Sequence, residues 1–445
     1  MQILSRHRMK VALAAAAAGS IALTSACSGG GDDDGMTEDG KIQLTVSLFG
    51  TFGYTEAELE SAYEAEHENV DVVFEGDGAN WDTEVRPALD TALDTGSGAG
   101  DVVGVEEQAA VELFSNSAVW TDLSALGHDD KAENYVDWKW DIGHNPDGNL
   151  VGFGTDVGGM GMCYRTDLFE EAGLPTDRAE VAAAWADWDG FQDVAQTFVD
   201  SGIEASFLDG PTQLQNMILG QTAGAGDGEL YVDAEGNLTL DSAATTTAVQ
   251  TVLDLHEIGA IGPYVSWSEE WIAAQAQGGY AVMPCPGWMT GVIETNSGEE
   301  NAGKWDMAAA PGVAGNWGGA WLGVPASSPH PEEAAELAAW LTAPEQQVKV
   351  FEAVGNFPSS PAAQADPAVA DATNPYFSDA PTGQIIGASV QDFPALEYGT
   401  LHTPVKGAVE GVLNGLIDGT YSADDVWDAM QSEAENAVEL SGGGL

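Results

Sequence analysis

The stretch Asn149–Pro175, NLVGFGTDVGGMGMCYRTDLFEEAGLP, constrains this chain more than any other. An apolar run leads into Asp156-Val157-Gly158-Gly159, and a second, Met160 to Tyr164, leads out, which is the pattern of two strands joined by a flexible bend. Thr166 or Asp167 can cap a short helix through Ala172, Gly173 is free to take the left-handed conformation that ends it, and Pro175 blocks continuation. Such a bend in mid-chain predicts a crossing between two lobes. Length agrees, because roughly 400 residues follow the leader, too many for one ordinary core.

The residues before the bend predict an α/β unit. Ile42, Leu44, Val46 and Leu48 alternate as a strand, Thr55 and Glu58 form a capping box for a helix carrying Leu59 and Tyr63, and Val70, Val72 and Phe74 alternate again. A helix around Val85 to Leu93 then leads to the strand Val102 to Val105. In a largely parallel sheet of this kind, ligands bind beyond the carboxyl ends of the strands. That rule selects Phe49, Phe52 and Tyr54 after the first strand, Trp81 and Asp82 after the second, and Glu106 after the third. An aromatic ring stacks on the apolar face of a pyranose, and a carboxylate accepts hydrogen bonds from its hydroxyls, so this set suits a neutral sugar. Ordinary core packing is the competing explanation for Phe49 and Phe52. The glycine-rich Gly96 to Gly100 follows a helix and precedes a strand, the reverse of a nucleotide-binding loop.

The motif Tyr164-Arg165-Thr166-Asp167-Leu168-Phe169, followed by Ala172-Gly173-Leu174-Pro175, resembles the crossing segment of the family 1 extracellular solute-binding proteins of ABC importers, the group that includes maltose-binding protein. The resemblance covers almost all of residues 41 to 440. It implies a two-lobed, periplasmic-binding-protein-like α/β fold with three interlobe crossings, no catalytic residue and no cofactor. The expected organisation is a first lobe from 41–156 and 287–357 and a second from 157–286 and 358–445. Helices are expected over Gln213 to Gln221, Ala243 to Ile258, Pro331 to Thr342, Pro404 to Leu416 and Ala423 to Leu440, the last two closing the second lobe.

Within that frame Pro284-Cys285-Pro286-Gly287-Trp288 is the second crossing, and Trp288 in its rigid turn is the principal stacking candidate. Asn316-Trp317-Gly318-Gly319-Ala320-Trp321 resembles the family's glycine-glycine-apolar strand, which makes Trp317 a second stacking candidate and leaves Trp321 as core. Asp156, in the first hinge, serves as either a ligand acceptor or a backbone cap, and Asp209, ending the strand at Phe207, is placed near the cleft. Trp188 and the Trp120-Thr121-Asp122-Leu123 turn are read as packing. The third crossing falls near Pro358. FGTFGY, the two flanking cysteines, PGWM and NWGGAW look most like the actinobacterial cello-oligosaccharide-binding lipoproteins.

The first residues read as a leader. Arg6, Arg8 and Lys10 precede an uncharged run from Val11 to Leu23, and small residues then reach Cys27, as in a secretory signal over residues 1–26. Leu23-Thr24-Ser25-Ala26-Cys27 resembles a bacterial lipobox, with Thr24 where leucine is usual, so Cys27 is the expected lipidation site; a plain small-residue cleavage site is the alternative. Residues 27–40, rich in glycine and aspartate, read as a flexible tether. The expected location is the outer face of the cell membrane, held only by lipid. Residues 1–26 carry three basic groups and no acidic ones, so their loss moves the formal charge from -60 to -63. A surface that acidic repels nucleic acid and anionic lipid and is explained most simply by solubility in a salty or acid-adapted habitat.

With Cys27 lipidated, Cys163 and Cys285 remain as a pair in an exported chain, each beside an inferred crossing; either a bridge or two separately buried thiols results. The seven histidines are scattered and no metal-ligand spacing occurs, so no metal is expected. The expected function is capture of a neutral di- or oligosaccharide, with cellobiose or a cello-oligosaccharide as the specific expectation, by a monomer that presents it to the membrane subunits of an ABC importer. A secreted glycoside hydrolase needs two carboxylates astride a scissile bond, and no recognisable catalytic motif supplies them. A polyamine or peptide receptor is the remaining alternative.

Overall fold

The computed structural model describes residues 35–441, apart from positions 38, 227, 229, 234, 235, 313, 314, 391, 392, 394, 395 and 397. The signal segment, Cys27 and most of the tether lie outside the described residues. Nine strands occur among them: β1 Ile42–Ser47, β2 Val70–Glu75, β3 Val102–Glu106, β4 Gly152–Gly154, β5 Met160–Arg165, β6 Ser206–Leu208, β7 Tyr280–Pro286, β8 Trp305–Ala309 and β9 Ala320–Gly323. They form two sheets, one in the order β2-β1-β3-β9-β4 and one in the order β6-β7-β5-β8. The chain is thus a two-lobed α/β protein.

In the first sheet β1 runs parallel to β2 and β3, while β9 returns antiparallel between β3 and β4. Alternation decides the faces. Leu44, Val46, Val72 and Leu322 bury against the helices Leu59–Glu66 and Pro331–Leu341, whereas Val103, Val105 and Trp321 bury against Arg86–Thr95 and Glu107–Ser115. Every residue of β5 and β7 is buried, as central strands covered on both faces require. These two strands are antiparallel neighbours, and a disulfide joins Cys163 of β5 to Cys285 of β7, Cα to Cα 5.4 Å.

Three local expectations need correction. The capping box at Thr55 and Glu58 does not form: Glu58 is itself left-handed at φ 55°, and backbone carbonyls of Tyr54 and Thr55 take the N–H groups of Leu59 and Glu58. At the next predicted start, Arg165 occupies the cap of the helix Thr166–Ala172 without a side-chain bond, because Asp167 is drawn back to pair with the Arg165 guanidinium at 2.6 Å and Thr166 donates to the Lys304 carbonyl. Gly173 ends that helix in the left-handed region as expected, at φ 74°. The third correction concerns topology. Trp305–Ala309 pairs with β5 in the second sheet, so the return to the first sheet lies between Ala309 and Ala320, later than the expected position at 287. The Pro-Cys-Pro-Gly-Trp turn marks the end of a second-lobe strand.

Beside the first crossing Asp156 bridges to Pro358, and Val157 N–H donates to the Phe357 carbonyl at 2.9 Å. The helix His402–Asp418 does not serve the second lobe alone. It packs on Pro211–Ala225 of that lobe and also on Glu107–Ser115 of the first.

The Cys163–Cys285 bridge closes a loop with a sequence separation of 122 residues. Replacing both cysteines by alanine is expected to lower the unfolding free energy by ~4 kcal/mol in the chain-entropy picture, measured by urea denaturation. Unchanged stability contradicts the bridge.

Candidate functional site

A cavity of about 1220 Å³ lies where the carboxyl ends of β1 and β3 meet the crossings and the second lobe. On the first-lobe side Phe49 anchors an aromatic wall, 5.1 Å from Phe52 edge-on and 4.9 Å from Trp81. Gly104 of β3 admits this wall: a Cβ there would stand 2.7 Å from the Phe52 ring. Phe52, Tyr54 and Trp81 line the cavity while remaining 6%, 3% and 8% exposed, so each also serves the core. The Tyr54 hydroxyl itself is buried and has no hydrogen-bond partner, so Tyr54 meets the cavity through its ring. Trp81 opens a single π-helical turn, Trp81–Val85, capped by the Asn80 side chain.

Glu106 ends β3 and lines the cavity, with one carboxylate oxygen accepting the Gln108 N–H at 2.9 Å. Burial raises its pKa, the Lys406 charge opposes this, and Asp82 adds to it. Lys406 reaches the cavity from the helix His402–Asp418 and is held there beside Glu410. Nothing in the sequence around Lys406 points to the cleft, since its place depends on how that helix docks between the lobes.

The floor is made by the crossings. Asp156 lines the cavity and also caps: Oδ1 accepts the Thr155 hydroxyl at 2.7 Å and the Ala320 N–H at 3.1 Å. Asn316 accepts the Gly158 N–H at 2.7 Å through Oδ1, and its Nδ2 donates to both oxygens of Glu107 at 2.7 and 2.9 Å. Tyr398 donates to the same Glu107 carboxylate at 3.0 Å. Burial pushes the Glu107 pKa up to about 7, opposed by Lys139 and by its hydrogen bonds. Lys139 is fully buried, its ammonium 3.5 Å from the centre of the Trp321 ring, and burial pulls its pKa down to about 8 against the attraction of Glu107, Asp156 and Glu106. Gly319, at φ 116°, has no room for a Cβ, which would meet the Asp156 carbonyl and the Lys139 ammonium.

Trp288, from the second lobe, and Trp317, from the crossing that leads into β9, both line the cavity, their rings 5.5 Å apart and steeply inclined, with Trp288 Nε1 donating to the Trp317 carbonyl at 3.2 Å. Trp267 and Trp271 also line it, although neither was singled out in the sequence. The signal was present as the tryptophan pair flanking Ser268-Glu269-Glu270 at a helix start, where Ser268 caps Glu269–Gln277.

Asp209 is a correction. It is fully buried behind Trp271, its Oδ2 accepting Trp271 Nε1 at 2.8 Å, and it is absent from the cavity wall. The loop Gly262–Tyr264 folds over it, with Gly262 pressed on the Asp209 carbonyl, so the strand end points into the lobe. Trp321 is core, and Trp188 packs on Phe191 at 5.4 Å, away from the cleft. Among the described residues no group of three or more His, Cys, Asp or Glu side chains could hold a metal ion, and no helix is long and apolar enough to cross a membrane.

Residues 58–376 match the family described as bacterial extracellular solute-binding protein, and the chain belongs to it. Its members bind solutes for transport and are not enzymes. A solved structure described as an extracellular solute-binding protein family 1 is 34% identical, covers 89% of this chain and 99% of its own, and superposes with a TM-score of 0.78. The lactose-binding protein of Rhizobium radiobacter is 25% identical over 369 residues, 79% of this chain and 83% of its own. The ABC transporter associated binding protein of B. animalis subsp. lactis Bl-04, solved in complex with β-1,6-galactobiose, shares the fold with a TM-score of 0.75 at 19% identity, covering 91% of this chain and 99% of its own.

Burial pushes the Asp209 pKa from 3.8 to about 7, with the Trp271 hydrogen bond opposing. The folded value lies above the unfolded one, so between these values the native state holds the extra proton and stability falls as pH rises. Asp209→Asn keeps an acceptor for Trp271 and removes the charge. It is expected to gain on the order of a few kcal/mol over wild type near pH 8 and to lose this advantage near pH 3.5, in paired urea curves. A pH-independent difference contradicts the buried carboxyl.

Proposed function

We propose that this chain is the extracellular, lipid-anchored receptor of an ABC importer and captures a neutral di- or oligosaccharide, with cellobiose and its longer homologues as the first ligands to test. The observation that carries this reading is the convergence on one cavity of stacking rings and hydrogen-bonding carboxylates from both lobes. Trp288 and Trp317 supply ring faces for pyranose stacking, and Glu106 and Asp156 supply polar contacts. Phe52 and Trp81 form the apolar wall, and Asp209 acts only through Trp271. The ligands named for two relatives, lactose and β-1,6-galactobiose, are uncharged disaccharides, which supports the same class.

The proposed mechanism is capture without chemistry. A ligand touching both lobes stabilises the arrangement in which they face each other, by its differential contacts with the two states. A micromolar dissociation constant corresponds to about -8 kcal/mol, within reach of a few stacked rings and several hydroxyl hydrogen bonds. The sugar is then handed to the importer's membrane subunits.

Calorimetric titration of residues 41–445 with cellobiose, cellotriose, maltose, chitobiose and spermidine tests this. One-to-one binding of a neutral sugar is expected, and Trp288→Ala is expected to weaken it at least about tenfold. A response to spermidine alone, or to none of the five, contradicts the sugar assignment.

A further inference from the structure

Trp267 is the cleft residue whose position the fold explains least. Its backbone sits in the left-handed region at φ 70°, where a bulky side chain is strained, yet the residue remains 43% exposed. It stands at the outer end of a series of rings. From the crossing, Trp317 lies 5.5 Å from Trp288, Trp288 lies 5.9 Å from Trp267 at an interplanar angle of 26°, and Trp271 backs Trp267 at 5.2 Å. Trp271 is fully buried and pinned by Asp209, so the support under Trp267 is rigid. Ile272 is exposed and also lines the cavity, and Val265, two residues before Trp267, is exposed as well. The cavity, about 1220 Å³, exceeds the range of about 300–1,000 Å³ usual for small-ligand pockets.

We propose that Trp267 is an outer stacking platform that sets chain-length preference, holding a sugar unit beyond those at Trp288 and Trp317 while the chain end leaves along Val265 and Ile272. The inference rests on the assignment of the cleft to an oligosaccharide. Strain in the backbone then has a use, because it presents an indole at the mouth of the cleft where a helical or extended residue would turn it aside. Continuity with the cavity wall distinguishes this rim from a surface for a protein partner, which would have no need of a ring stacked on Trp288.

The test is calorimetry with cellobiose, cellotriose and cellotetraose on wild type and on Trp267→Ala, Trp267→Gly and Trp267→Phe. Wild-type affinity is expected to rise along the series. Trp267→Ala is expected to lose about tenfold for cellotetraose, ~1.4 kcal/mol, and only about twofold for cellobiose. Trp267→Gly, which suits the left-handed backbone, should lose the same increments, so the effect cannot be charged to misfolding, and Trp267→Phe should recover most of them. Equal losses at every chain length, no loss, or a gain overturns the platform. Wild type that binds cellobiose without further gain for longer chains overturns it alone, whereas wild type that binds no sugar of the series removes the carbohydrate assignment and the platform with it.

Discussion

The bond between the Asn316 side chain and the buried Glu107 carboxylate is the constraint on which the cleft depends. Asn316 lies in one crossing and, through Oδ1, holds Gly158 of another, while its amide nitrogen is anchored at the start of the first-lobe helix Glu107–Ser115. Tyr398 adds a tie from the segment that follows the third passage. A carboxylate with 1% exposure is expensive to keep charged, and these donors together with the nearby Lys139 ammonium are what make it tolerable. Two of the crossings are thereby tied to the first lobe through the same carboxylate.

The position of the ligand cavity follows from the sheets. Parallel β1 and β3 carry the chain to the same edge of the sheet, where Phe49 and Glu106 line the cavity, and the crossing that leads into antiparallel β9 brings Trp317 and the two glycines alongside. The second sheet contributes through the turn after β7, which begins the helix Met289–Ser297 with Trp288 at its cap. The disulfide between β5 and β7 braces the strand that carries this turn against the strand that enters from the first crossing. Trp271 and Asp209 extend the brace to the outer wall.

Much of this was legible along the chain. Period-two alternation marked β1 and β2, the bend after Asp156 marked the first crossing, and Trp288 and Trp317 stood out because tryptophan beside Pro or Gly has little reason to be core. What failed depended on partners distant in sequence. Thr55 and Thr166 look like helix caps until the backbone turns and the Lys304 carbonyl claim those groups. Asp209 ends a strand as predicted, but the rule about strand ends does not say that the Gly262–Tyr264 loop covers it. The second crossing lies later than 287 because Trp305–Ala309 pairs with β5, a partner about 140 residues away that the local sequence does not name. Lys406 and Trp267 were missed for the same reason, the first set by helix docking and the second by a left-handed backbone that a sequence does not announce.

The central claim is that one ligand is held by both lobes at once. Small-angle X-ray scattering of residues 41–445, alone and saturated with cellotetraose, tests it most directly. A smaller radius of gyration with sugar bound is the predicted result; an unchanged radius at demonstrated saturation would show that the sugar sits on one lobe and contradict the account.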